Sequence, residues 1–250
     1  MPYKIISLRE IDSTNAEALR NFGALQDGTV ICAEKQTAGR GRMDRKWLSE
    51  GKGIYFTIIL KNAESAAIYA AFSHLMSVSV CRALQEYGFM PQIKWPNDVL
   101  CSADVNGTAG KICGILSQAA SGQGGICGIA LGVGINHSQE NGDFAGVMYP
   151  AVSVQMLAGQ KKDIAVPGKE EILDSVLDCF FRQKEIFEKK GFVSIMEDYV
   201  SFCSFLGREI KISVNGGKET VFAKKINSDG TLTVVCEGTE KNIAAADILA

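Results

Sequence analysis

At 250 residues the chain can form one large domain, or one domain with a small appendage. Hydrophobic residues at 46% and charged residues at 22% supply a true core and exclude a disordered polymer. Lysine and arginine total 26 against 28 acidic residues, so a net charge of −2 gives no overall electrostatic case for binding nucleic acid.

A helix is expected over 14–22, with Thr14 as its cap and Glu17 completing a capping box. Residues 28–34 and 53–60 are β-rich, and the segment between them is polar, basic and glycine-containing. From 65 to 87, Ile68, Phe72, Leu75, Met76, Val80, Ala83, Leu84 and Tyr87 recur at helical spacing, and Gly88 suits the stop. Strands follow at 92–95, 99–101, 111–118 and 125–132, with 102–110 as a loop. A second long helix spans about 170–189, and a third covers 192–202. After Phe205, short alternating strands at 209–214, 221–226 and 231–236 are separated by Asn215-Gly216-Gly217, Asp229-Gly230 and Glu237-Gly238. That pattern marks a small antiparallel barrel or meander, too short to be stable unless it packs on the main domain. The expected division is 1–203 and 204–250.

The eight cysteines include no Cys-x-x-Cys, and several lie in apolar company, as at 30–32 and 234–236. They read as reduced thiols of a cytoplasmic protein. Two histidines argue against a zinc site. Neither a signal-peptide core nor a membrane-length apolar run is present.

Nucleotide-loop templates fail: Gly110-Lys111 is followed by Ile112, Gly39-x-Gly41 meets Asp44, and Gly122-x-Gly124 meets Cys127. Five clusters remain, the first four each with a plain and a functional reading. Asp12-Ser13-Thr14-Asn15 is a helix cap or a set of hydroxyls and amides for a polar ligand. Residues 34–47 interleave glycine with arginine, and the four positive charges in 40–46 describe a solvated turn or an anion-gathering loop. Asp44 tempers that charge, and Trp47 is core or site. Lys94-Trp95-Pro96-Asn97-Asp98 is a turn, or a lysine for phosphate beside an Asn-Asp pair for nucleotide or Mg²⁺. Gly110-Lys111-Ile112-Cys113-Gly114 puts a lysine at the start of an apolar strand, where an edge position is the default. Gly132-Val133-Gly134-Ile135-Asn136 closes the series with glycines that allow close backbone approach.

In this order, Ser13-Thr14-Asn15, Gln36 through Arg42 with Arg45-Lys46-Trp47, Lys94 through Asp98, Gly110 through Leu116 and Gly132 through Asn136 resemble the catalytic domain of the biotin–protein ligase family. The likeness spans 11 to about 136, and Leu206-Gly207-Arg208 also resembles that family's ending. It implies an α+β fold, a mixed β-sheet flanked by helices, with a small C-terminal SH3-like β-barrel. It also implies biotin and ATP as substrates with Mg²⁺, and a biotin carboxyl carrier domain of a carboxylase as partner. Nucleic acid and membrane are not expected partners, and a homodimer stays open. By resemblance, biotin falls to Ser13, Thr14, Asn15, Gln36, Gly39, Arg40, Gly41, Arg42, Lys111 and Gly114. ATP and the adenylate fall to Arg42, Trp47, Lys94, Asn97, Asp98, Lys111 and Asn136. Lys111 and Arg42 are the expected catalytic cations. Because the likeness starts at residue 11, no N-terminal DNA-binding module is expected. A lipoate–protein ligase is the nearest rival, although a Ser-Gly-Gly-type run is expected there in place of Gly39-Arg40-Gly41-Arg42. A non-catalytic biotin sensor is the rival from another class, but it would not need Lys94, Asp98 and Lys111. The long 102–110 segment leaves the placement of Lys111 open.

Overall fold

The computed structural model describes residues 3–61, 66–103, 107–122, 125–147, 149–161, 164–214, 217–244 and 246–249, with residues 44, 66 and 67 described by backbone alone. Expectations resting on Asn215-Gly216, on the Asp44 side chain and on residues 104–106 of the 102–110 loop lie outside these.

β1 (Lys4–Ile11) leads through α1 (Thr14–Arg20) to β2 (Thr29–Gln36), which pairs parallel with β1. β3 (Gly53–Lys61) runs antiparallel to β2, and α2 (Ala66–Glu86) follows. β4 (Met90–Lys94), β5 (Asp98–Ser102), β6 (Gly110–Gly122) and β7 (Gly125–Asn136) complete a mixed sheet of order β1-β2-β3-β7-β6-β5-β4. α3 (Val154–Ala158), α4 (Lys169–Lys190) and α5 (Met196–Ser201) then precede β8 (Glu209–Val214), β9 (Gly217–Ile226), β10 (Leu232–Cys236), β11 (Thr239–Ile243) and β12 (Asp247–Leu249).

The two-residue side-chain period of a strand sorts the core by face. Val30, Ile58 and Leu60 join Phe72, Leu75, Phe180 and Phe187 of α2 and α4, with Phe72 and Phe187 centroids 5.0 Å apart. Their sequence neighbours Ile31 and Ile59 point to the other face and form a small cluster with Ala18 and Phe22 at α1. The α1 face is thinly covered beyond that cluster, and this leaves room for a site.

Several local expectations change. Ser13, not Thr14, caps α1, its side chain accepting from the Ala16 N–H, and Glu17 pairs with Arg20 instead of closing a capping box. Two adjacent hydroxyl residues compete for the cap, and Thr14 is turned inward. The third helix splits into a 3₁₀ turn (Gly191–Ile195) and α5. β1, α3, β11 and β12 were not anticipated.

The C-terminal strands form a five-stranded antiparallel sheet of order β11-β10-β9-β8-β12, consistent with an SH3-like unit. No ladder joins β11 to β12 among the described residues. Ile212, Val221, Ala223, Leu232 and Val234 belong to the same core as α2 and α4, so the small unit packs on the large one. Trp95 donates its indole N–H to the Gly230 carbonyl at 3.0 Å across that junction. No described helix is long and apolar enough to cross a membrane.

Candidate active site

A cavity of about 510 Å³ opens on the α1 face, between the N-terminus of α1, the 40–47 loop and the centre of the sheet. That size suits a small-molecule or cofactor ligand. Its floor is backbone. A Cβ at Gly134 would lie 2.3 Å from Trp47 Nε1, one at Gly114 would lie 2.9 Å from the same indole, and one at Gly132 would lie 2.1 Å from Asn15 Oδ1. Glycine at these β6 and β7 positions lets a tryptophan and an asparagine lie flat on the sheet.

One end of the cavity is a closed polar network. Asn15 donates both amide hydrogens, to the Leu116 carbonyl at 3.1 Å and to Gln118 Oε1 at 2.8 Å, so its Oδ1 only accepts. Gln36 Oε1 accepts from the Thr14 N–H at 2.8 Å and therefore also faces Thr14 as an acceptor. Three oxygen–oxygen contacts then remain: Thr57 to Asn15 at 2.6 Å, Thr57 to Thr14 at 2.8 Å and Thr14 to Gln36 at 3.1 Å. Thr57 and Thr14 bring one hydroxyl proton each. Every assignment that serves two of the three contacts directs the Thr14 proton inward, to Thr57 or to Gln36. Thr14 Oγ1 thus offers the cavity lone pairs only. Gln36 Nε2 donates one hydrogen to Ser49 Oγ at 3.0 Å and has a second to offer. This end is built for a ligand group that carries an N–H donor beside an acceptor.

The other end is charged. Lys111 Nζ is 2.7 Å from Asp98 Oδ1, an ion pair lacking a well-aligned hydrogen bond, and it lies 5.3 Å from the Trp47 ring centroid. Arg42 Nη1 donates to Asn97 Oδ1 at 2.7 Å. The loop carrying Arg42 is a tight turn: the Gly41 N–H donates to the Arg45 carbonyl at 2.7 Å, and the Trp47 N–H to the Gly39 carbonyl at 3.0 Å. Met43 takes a left-handed φ of 54° at its tip. Asp247, from β12, closes the rim with Oδ2 2.5 Å from Arg45 and Oδ1 3.5 Å from Arg42. That carboxylate raises the Arg45 pKa further, chiefly through its hydrogen bond. Trp47 Nε1 is buried with no hydrogen-bond partner among the described residues.

Lys111 is held despite the long loop before it. Leu100 and Lys111 are in register, the Lys111 N–H donates to the Pro150 carbonyl at 2.8 Å, and its carbonyl accepts from Val152 N–H and Asn136 Nδ2, each at 3.1 Å. Asn136 gives its other amide hydrogen to the Val152 carbonyl at 3.1 Å, so it braces the strand bearing Lys111.

Of the residues singled out in the sequence, Ser13, Thr14, Asn15, Gln36, Arg40, Gly41, Arg42, Trp47, Asn97, Asp98, Lys111, Gly114 and Asn136 all line this one cavity. Two stand apart from it. Gly39 lies under the loop, where a Cβ would lie 2.5 Å from Ser49 Oγ. Lys94 pairs in register with Asp98, but its ammonium sits 4.5 Å over the Tyr149 ring, and Tyr149 is the residue that faces the cavity. Burial is the main cause of a lowered Lys94 pKa, with Asp98 opposing. Thr57, Ser49, Arg45, Tyr149 and Asp247 were not singled out as site residues. Thr57 and Ser49 are single hydroxyls in ordinary strand and loop sequence, and Asp247 meets Arg45 only through the fold.

The sequence pattern of the Biotin/lipoate A/B protein ligase family matches residues 7–136. The bifunctional ligase/repressor BirA of Bacillus subtilis (strain 168) is 31% identical, over 93% of this chain and 69% of its own length. The biotin–[acetyl-CoA-carboxylase] ligase of Paracoccus denitrificans is 29% identical over 96% of this chain and 98% of its own. Among solved structures, the biotin protein ligase from Aquifex aeolicus in complex with biotin and ATP superposes with a TM-score of 0.80 at 26% identity, covering 98% of this chain and 97% of the other. Family pattern, curated relatives and superposed structure agree: the chain belongs to the biotin/lipoate A/B protein ligase family.

Proposed function

We propose that the chain is an ATP-dependent biotin–protein ligase. It joins the biotin carboxylate to the α-phosphate of ATP with release of pyrophosphate, then passes the biotinyl group from AMP to a lysine of a biotin carboxyl carrier domain. The observation that carries biotin over lipoate is the proton count at Thr14. A ureido ring supplies the N–H that Thr14 Oγ1 must receive and a carbonyl for the spare Gln36 hydrogen, whereas a dithiolane ring supplies neither.

Chemistry at the charged end follows from what must meet there. A carboxylate and a triphosphate repel one another, and Lys111 and Arg42 offset that repulsion. As the carboxylate oxygen attacks the α-phosphorus, charge grows on the phosphoryl oxygens, and fixed cations stabilise the transition state more than the ground state. Trp47 and the 40–47 loop wall off the junction where the acyl-adenylate forms, keeping water from its acyl carbon. In the second step a carrier amine attacks that carbon and AMP leaves, so no protein nucleophile is required.

Mg²⁺ would be held together with the ATP phosphates, where it would offset their charge, since this hard cation binds through one or two carboxylates plus phosphate oxygens. Asp98 and Asp247 are the carboxylates on the cavity wall, and Asp98 is the one beside Lys111 that would hold it. No three-ligand cluster for a metal occurs among the described residues. We assign 1–203 to the catalytic unit and 204–250 to the appended β unit. The carrier is taken to be that of a biotin-dependent carboxylase, and eight unpaired thiols support a reducing, cytoplasmic setting.

The test is pyrophosphate release with ATP, Mg²⁺ and either biotin or lipoate, followed by transfer to an acceptor domain. Biotin-dependent release is expected, and release with lipoate alone would overturn the assignment.

A further inference from the structure

We infer that Asp247 is a positioning residue that latches the adenylate-binding loop through Arg45, keeping the activated acyl group inside the site until an amine arrives. This rests on the ligase reading above. Distances divide the labour between the two arginines. Asp247 Oδ2 lies 2.5 Å from Arg45, but the nearer Arg42 nitrogen is 3.5 Å from Oδ1 and already donates to Asn97 at 2.7 Å. Arg42 is therefore the arginine that can turn to a phosphate, and Arg45 is the one committed to the latch.

Asp247 is well placed for this. It is the first residue of β12, registered on Ser213 of β8, so its backbone is part of the C-terminal sheet and not of the loop. That sheet shares its core with the main domain and is pinned to it by Trp95 and Gly230, which gives the loop an anchor on rigid structure. The carboxylate is 18% exposed although Arg45 is 48% exposed, so the pair is stronger than a free surface ion pair but weaker than a buried one. Within the loop, the Gly41 N–H donates to the Arg45 carbonyl, the Arg45 N–H to the Arg42 carbonyl and the Trp47 N–H to the Gly39 carbonyl. Asp247 thus ties this turn to the C-terminal sheet.

The chemistry makes such a tie useful. If the loop opens, water attacks the acyl carbon of the biotinyl adenylate, the bond from that carbon to the phosphate oxygen breaks, and biotin and AMP leave. The cycle then consumes ATP without labelling a carrier.

The experiment uses the full chain with Asp247→Asn, which removes the charge and keeps the shape, and Asp247→Glu, which keeps the charge. Asp198→Asn, which breaks an ion pair with Arg82 outside the cavity lining, is the control. Two readouts are followed: tryptic cleavage within 40–46 without substrates, and AMP accumulation with biotin, MgATP and no carrier. Asp247→Asn should speed both by roughly threefold to tenfold, the range of a partly exposed hydrogen-bonded ion pair. Biotin affinity should hold, and Asp247→Glu and Asp198→Asn should stay near the parent. Unchanged cleavage and unchanged AMP accumulation in Asp247→Asn would overturn the latch, as would an equal effect of Asp198→Asn. If the parent chain shows no biotin-dependent pyrophosphate, the ligase reading fails, and the proteolysis readout still judges the Arg45–Asp247 tie.

Discussion

Acidification should loosen this protein at one identifiable residue. His74 on α2 is buried at 9% exposure, its Nδ1 lies 3.1 Å from the Tyr199 hydroxyl, and its ring meets Phe192 and Tyr199 edge-on. A Cβ at Gly230 would lie 2.8 Å from the ring, so His74 also supports the turn on which the C-terminal sheet docks. Burial lowers its pKa from 6.5 to about 4, with Asp229 opposing the shift. The unfolded chain then binds a proton that the folded chain refuses between pH 6.5 and 4, so stability rises with pH through that window and falls on acidification. Integrating the two titrations from pH 7 to pH 5 gives a loss of about 2 kcal/mol, out of about 3 kcal/mol below pH 4. His137, whose pKa burial also lowers, acts in the same direction, so the contribution of His74 must be read as a difference. His74→Gln keeps a polar partner for Tyr199 and removes the proton. Urea unfolding at pH 7 and pH 5 should show the parent losing about 2 kcal/mol more than the variant, or about 4–8 °C in a melting experiment on a chain of this size. Equal losses in parent and variant would refute the assignment.

Lys111→Ala should slow biotinyl-adenylate formation about 10²–10³-fold with biotin binding still measurable by calorimetry, because in the proposed mechanism the ammonium beside Asp98 serves the phosphoryl group and not the ureido end. Thr14→Val removes the acceptor for a ligand N–H and should weaken biotin binding by about 1–3 kcal/mol; an unchanged dissociation constant would show that the ureido group sits elsewhere. Gly134→Ala drives a methyl into the space of Trp47, and the displaced indole should cost about 1–3 kcal/mol in stability or ligand affinity, visible as a shifted tryptophan emission.

Much of the site could be read from the chain because its residues sit in local runs. Lys94 to Asp98 is a hairpin turn, Gly132 to Asn136 ends one strand, and Arg40 to Trp47 is one loop. Long periodic elements were equally plain, with α2 and α4 found near their true limits. β1 escaped because an edge strand with an exposed polar face, such as Lys4–Ile11, has little alternation, and its partner β2 is set by a parallel crossover. Asn15 and Asn136 were assigned to ligands by resemblance to the family. Their amides also brace the chain, Asn15 on the Leu116 carbonyl and the Gln118 side chain and Asn136 on the Lys111 and Val152 carbonyls, a duty that depends on strand register and not on residue type. Lys94 was placed at the nucleotide, and only the fold reveals Tyr149 beneath it.

The contact between Arg45 and Asp247 spans 202 residues, which gives the loop a distinctive position in the order of folding. Closing so long a chain segment carries a high entropic cost, so the contact belongs to the late steps, after the two sheets have docked. During synthesis at about 5–20 residues per second, Asp247 follows Arg45 by roughly 10–40 s. Throughout that interval the nascent catalytic domain presents an arginine-rich loop with no carboxylate from the distant sheet to neutralise it. Before Asp247 docks, the chain should therefore carry more local positive charge around this loop than the finished protein.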